Sequence, residues 1–109
     1  MSKYRNKKVK IDMFVFDSIA ESRRYKELAL LEKAGYIKDL KLQPKFLLQE
    51  SFKKNGKTYR KIEYIADFQY TENNKTIVED VKGKETEVFK LKYKLFEFKY
   101  PELELKIIK

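Results

Sequence analysis

The chain of 109 residues contains no histidine and no cysteine. The first absence removes imidazole metal ligands, histidine general bases and Ser-His-Asp chemistry. The second removes disulfides and thiolate metal sites, and suits a reducing cytoplasm. No apolar run approaches the ~20 residues of a membrane-spanning helix. The opening "MSKYRNKKVK" has none of the apolar core that a signal peptide carries. Linkers, internal repeats and low-complexity blocks are also missing, so residues 1–109 are expected to form one domain with one core. Any catalysis must come from carboxylates, lysines, tyrosines or a hard metal ion.

Positive charge and aromatic rings are plentiful. Lysine and arginine number 26 against 17 acidic residues, a formal net charge of +9. Such a field favours a polyanionic partner, nucleic acid first, although solubility alone is the plainer explanation. An anionic membrane is disfavoured, because no basic amphipathic segment carries a strongly lipophilic face. Eight Phe and eight Tyr supply core material, so a disordered chain is not expected. Only the basic residues 1–8 read as a flexible N-terminal stretch.

Residues 9–16, "VKIDMFVF", read as a short strand or hairpin. "FDSIAESRRYKELALLEKAG" is the clearest element: Ser18 is placed as N-cap with Glu21 three residues on, and Gly35 as a stop. Tyr25, Leu28 and Leu31 form its apolar stripe. After "YIKDLKLQP" come three strand candidates in a meander. "KFLLQESF" joins "TYRKIEYIADFQY" through Asn55-Gly56, a strong hairpin signal, and the second joins "TIVEDVK" across Asn73-Asn74. "TEVFKLKYKLFEFKY" alternates like a strand but also carries a helical stripe of Val88, Leu91, Leu95 and Phe98, with Phe89 and Phe96 beside it. Thr86 before it and Pro101 after it favour helix. "LELKII" closes the order as a strand. The expected fold is an α/β domain with a central mixed sheet flanked by helices.

The stretch "VEDVKG", Val78 to Gly83, is where chemistry is most concentrated. Asp80 and Lys82 project from one face of a strand. If Asn73-Asn74 form a two-residue turn, Glu72 pairs with Lys75, and the register carried onward sets Asp67 opposite Asp80. Opposed like charges on a sheet are unfavourable unless compensated, by a divalent cation or partly by a lysine. In this register Ile65 and Val78 share the acidic face, while Ala66, Phe68, Tyr70, Ile77 and Val81 line the other. Glu79 points to that second face and reads as structural or peripheral.

Asp67, then Asp80-Val81-Lys82 after a hairpin, preceded by a helix bearing Glu21, resembles the PD-(D/E)XK nuclease superfamily. More narrowly, "FDSxAExxRY", "LQP", "YxADFxY", "VEDVKG" and "FKLKxKLF" resemble a small phage-encoded family of uncharacterised proteins, itself similar to Holliday-junction resolvases and transposon-end nucleases. The likeness covers roughly residues 9–107. The proline that often precedes the first aspartate is replaced here by Ala66. The resemblance implies a restriction-endonuclease-like αβββαβ core and Mg²⁺-dependent cleavage of DNA, with Mn²⁺ as a substitute. Oxygen ligands suit such ions.

In that reading Asp67 and Asp80 are metal ligands, the Val81 carbonyl is an extra ligand, and Lys82 orients water or stabilises developing charge. Glu21 completes the site from the helix, or is simply the third residue of a capping box. Gln43 orients a water or fixes the sheet edge. Lys84, Lys90, Lys92, Lys94, Arg23 and Arg24 contact DNA phosphates, or are an ordinary solvated surface. Gly83 supplies a permissive turn or lets DNA approach closely. A homodimer acting on branched DNA in phage recombination or replication is the implied whole. The alternatives are a nuclease without junction preference and a non-catalytic DNA-binding protein on the same fold.

Overall fold

Local backbone demands account for where the elements begin and end. In the computed structural model, which describes residues 8–109, β1 (Val9–Ile11) and β2 (Phe14–Phe16) form a small hairpin. Helix α1 (Ile19–Lys33) starts where the Ser18 hydroxyl accepts from the Glu21 amide at 3.0 Å. It ends at Gly35, whose φ of +89° lets the Tyr36 amide reach back to Leu31 at 2.9 Å. Of the basic stretch expected over residues 1–8, residues 1–7 lie outside the described region, while Lys8 pairs with Asp17 at 2.9 Å. No helix among the described residues is long and apolar enough to cross a membrane.

The main sheet has the order β10-β9-β8-β3, made of β3 (Lys38–Leu42), β8 (Phe68–Glu72), β9 (Lys75–Val81) and β10 (Glu104–Ile108). The β10–β9 pair is parallel and the others antiparallel, so the sheet is mixed as expected. Taken as α1–β3–β8–β9–α2–β10, the element order is the αβββαβ sequence, with α2 spanning Glu87–Lys99. The first core strand, however, is Lys38–Leu42, which was read as a connection, and not the segment starting at Lys45. With Lys38, Asp39 and Lys41 among its five residues it has only a short apolar pattern, and pairing with β8 overrides that weakness.

The segment assigned to the meander becomes a separate ribbon inserted between core strands. In it β4 (Lys45–Gln49) pairs with β7 (Ile62–Ile65), and β5 (Phe52–Lys54) with β6 (Lys57–Tyr59). Asn55 and Gly56 stand at φ 53° and 74°, as a tight hairpin turn needs. Asn73 and Asn74, at φ 52° and 65°, turn β8 into β9, and Glu72 pairs with Lys75 as the turn demands.

Two apolar clusters cover opposite faces of the sheet. Phe16, Tyr25, Leu28, Ile37, Phe68, Tyr70 and Ile77 pack on the α1 side. Phe46, Leu48, Tyr64, Ala66, Val78, Phe89, Phe96 and Leu105 pack on the α2 side. Ala66 therefore lies on the face opposite to the one expected for it, and Ile65, expected beside Val78, is exposed. The cause is an interruption of the strand: β7 ends at Ile65 and β8 starts at Phe68, so alternation does not run through Ala66 and Asp67.

Helix α2 forms as the caps indicate, with the Phe89 amide donating to the Thr86 hydroxyl at 3.1 Å. Its packed side differs from the expected stripe. Phe89 and Phe96 are buried, with Tyr93 and Tyr100 against the same cluster, whereas Val88, Leu91 and Phe98 are exposed and only Leu95 is partly covered. Edge-on contact of Phe96 with Phe46 and Tyr64 decides the rotation of the helix.

Candidate active site

Strand β9 carries Glu79 and Asp80 to opposite faces, and each meets a different set of partners. Glu79 is fully buried under α1, where the Arg24 guanidinium grips it with Nε at 2.8 Å and Nη2 at 2.6 Å, and the Tyr70 hydroxyl donates to the same carboxylate. This fork-on-fork contact holds Arg24 charged above its ordinary range, with burial opposing it and Glu27 assisting. Arg24 is thus committed to the fold and not free for a phosphate. Glu79 has the structural place expected of it.

Asp80 is 3% exposed on the α2 side. The Tyr64 hydroxyl donates to its Oδ2, and the Lys82 ammonium stands 3.7 Å from its Oδ1. Lys82 is further held over the Phe89 ring, 4.7 Å from the centroid, a cation–π contact that fixes an otherwise flexible side chain. Burial and the Asp80 charge both push the Tyr64 hydroxyl far above its ordinary range, so it stays a donor.

Asp67 occupies the gap between β7 and β8. The last ladder pair is Phe68 with Glu79, and beyond it the Asp67 amide donates to the Glu79 carbonyl at 3.0 Å. The Asp67 Oδ2 accepts from the Val81 amide at 2.7 Å, so a side chain takes over where the backbone ladder stops. The Gln43 amide donates to the Asp67 carbonyl at 2.9 Å from a residue at φ 53°, which pins the "LQP" turn to the site. Gln43 therefore fixes the edge through its backbone. It also lines a cavity of about 260 Å³ with Glu21, Asp67, Leu42 and residues of the β1–β2 hairpin.

The three carboxyls expected to work together are neighbours. Glu21 and Asp67 line the same cavity, and the charges of Glu21 and Asp80 both act on Asp67. Burial first, then the Asp80 and Glu21 charges, push Asp67 up to about 8 against the pull of the Val81 amide. Burial raises Glu21 as well, and its neighbours Asp67 and the Asp17 amide partly offset this. Glu21 serves two places at once, since its amide is capped by Ser18 while its carboxyl reaches the cluster. The carboxyls run in sequence and do not surround one point: among the described residues no group of three Asp, Glu, His or Cys side chains is placed to hold an ion.

A model of the family described as protein of unknown function (DUF1064) matches residues 1–109. The chain belongs to the DUF1064 family. No curated protein and no solved structure matches it.

In this DUF1064 chain the expected phosphate-binding lysines separate into two groups. Lys92 lines a second cavity, of about 270 Å³, with Lys82, Tyr64, Phe89, Glu63 and Thr86. Lys84, Lys90 and Lys94 are exposed, as is Arg23, and Lys90 pairs with Glu87 at 3.6 Å. A Cβ added to Gly83 meets nothing within 4 Å and its φ is not left-handed, so the fold itself makes no demand for glycine there. Tyr64 and Phe89 are the site residues that sequence reasoning missed. Their signal was faint: a tyrosine two residues before Ala66 in "YIADF", and a phenylalanine beside, not in, the expected stripe.

Proposed function

We propose that this protein is a metal-dependent endodeoxyribonuclease, acting by the resemblance on branched DNA in phage recombination or replication. The observation that carries the reading is the convergence of Asp67, Asp80 and Lys82 at one end of β8 and β9, with Glu21 delivered to Asp67 from α1. A chain of +9 charge that keeps the buried Asp80 beside the half-buried Asp67 has a local deficit of positive charge at that point.

The donor set fits a hard divalent ion of the Mg²⁺ or Mn²⁺ type. Tyr64 and the Val81 amide take up Oδ2 of Asp80 and of Asp67; Oδ1 of Asp67 is left, Oδ1 of Asp80 faces the Lys82 ammonium at 3.7 Å, and such ions need only one or two carboxylates beside a substrate phosphate. The ion would supply positive charge that polarises the phosphate and makes water more acidic. The chain's own residues do the rest. Tyr64 and the Val81 amide orient the two carboxylates, Lys82, in the lining of the second cavity, holds a fixed positive charge for charge growing on phosphate oxygens, and Glu21 can hold a proton next to Asp67. The Val81 carbonyl remains the proposed additional ligand. Two-strand cleavage calls for a homodimer, which mass in solution checks.

One observation favours a second reading, a non-catalytic DNA-binding protein on the same fold: both aspartates already have protein partners, and the three carboxyls do not surround one point. The test is purified protein with Mg²⁺ or Mn²⁺ on linear, flapped, forked and four-way DNAs. Metal-dependent cutting that prefers branched substrates is expected. Binding without cutting selects the second reading, and equal cutting of linear and four-way DNA removes the junction preference alone.

A further inference from the structure

We propose that the β5–β6 hairpin is a DNA-gripping arm, seated on phosphates up to about one helical turn from the carboxylate cluster; this rests on the reading of the protein as DNA-acting. The hairpin has no core function. Residues 51–60 are exposed throughout, and β5 and β6 pack on each other and hardly on any other element. Yet it is stiffened from within. Phe52 and Tyr59 stack across the strands at 4.7 Å with planes 11° apart, and the Asn55-Gly56 turn stands in the left-handed conformation that matches strand twist. A rigid hairpin that contributes nothing to the core is a surface feature in search of a partner.

Its charge identifies the partner. Lys53, Lys54, Lys57 and Arg60 fall in a stretch, "SFKKNGKTYR", with no carboxylate. Lys54 stands directly opposite Lys57 in the register, a like-charge pair that destabilises a free hairpin. Among the described residues none of these four cations forms an ion pair. The Lys57 ammonium lies instead 5.1 Å over the Tyr59 ring. A second copy docking hairpin to hairpin would bring lysine to lysine, whereas a phosphate backbone offsets the repulsion. A two-stranded ribbon also fits the width of the DNA major groove.

The ribbon sets the reach. It leaves the site at Asp67 and runs through β7 and β6 to Lys57, ten residues away. At about 3.3 Å per residue this spans at most about 33 Å, close to one turn of B-DNA. The second cavity, with Lys82 and Lys92, opens on Glu63, Tyr64 and Ile65 of the same ribbon, so basic groups mark both its ends.

The experiment is equilibrium binding of a 24-base-pair duplex, in chelator so that nothing is cut, across about 50 to 200 mM salt. Wild type is compared with Lys54→Ala/Lys57→Ala and with Lys54→Arg/Lys57→Arg. Losing two phosphate contacts lowers the log–log salt slope by about 1.8, so over that range the alanine variant should lose about tenfold less affinity than wild type. The arginine variant should keep the wild-type slope. Unchanged unfolding midpoints show that both variants fold, and light scattering reports their mass. An alanine variant with the wild-type slope overturns the arm and leaves the nuclease reading standing. A change in mass instead of slope assigns the hairpin to self-association and also overturns it. A wild type with no affinity for DNA removes the function reading, and the arm with it.

Discussion

At the residue scale, the buried Asp80 and the half-buried Asp67 differ in chemistry though they lie close in space. Asp80 has a hydroxyl donor and an ammonium; Asp67 has a backbone amide and two carboxyl neighbours. Tyr64→Phe leaves a buried carboxylate oxygen without its donor, which costs about 1–3 kcal/mol, read as a lower denaturant midpoint. Cleavage should fall as well, because Asp80 loses the group that orients it. The same residues govern pH behaviour. Asp67 binds its proton up to about pH 8 in the folded protein but only up to about 3.8 when unfolded. Between those values unfolding releases a proton, so stability without added metal should fall as pH rises from about 4 to about 8. Midpoints measured over that window should fall in wild type and flatten in Asp67→Asn. A wild-type profile that rises instead would show Asp67 to be an ordinary ion-paired carboxylate.

At the element scale, legibility followed the strength of local backbone demand. Asn55-Gly56 and Asn73-Asn74 were readable because each turn needs left-handed residues, and the second one carried the β8–β9 register with it. Strand β3 was not readable: three of the five residues of "KDLKL" are lysine or aspartate, and only its neighbour β8 makes it a strand. Nor was the Tyr64–Asp80 contact, since β7 and β9 belong to different sheets and meet where strand pairing is interrupted at Ala66-Asp67.

Helix α2 shows a third kind of miss. Val88, Leu91, Leu95 and Phe98 are as helically spaced as Phe89, Tyr93, Phe96 and Tyr100, and only the aromatic partners Phe46 and Tyr64 choose between them. That choice is measurable. Phe96→Ala should cost about 3–5 kcal/mol of unfolding free energy. Phe98→Ala, at a side chain 87% exposed, should stay within about 0.5 kcal/mol. Comparable losses at both positions would mean the helix is rotated from this packing.

At the scale of the whole molecule, the sheet separates two roles that the sequence had placed side by side in "VEDVKG". The α1 face uses Glu79, with Arg24 and Tyr70, to fasten helix to strand. The α2 face and the open strand ends hold Asp80, Lys82 and Asp67, the residues of the proposed site, within a strongly basic chain that favours a polyanion. The measurement that tests this division most directly is cleavage by two folded variants, Asp80→Asn and Lys82→Ala, in Mg²⁺ on a four-way DNA cut by wild type. The account predicts at least about a hundredfold loss of turnover in each. DNA binding should be retained by Asp80→Asn, and metal binding by Lys82→Ala. Cleavage at the wild-type rate by either folded variant would contradict it, and leave Asp80 and Lys82 as an ion pair that only supports the fold.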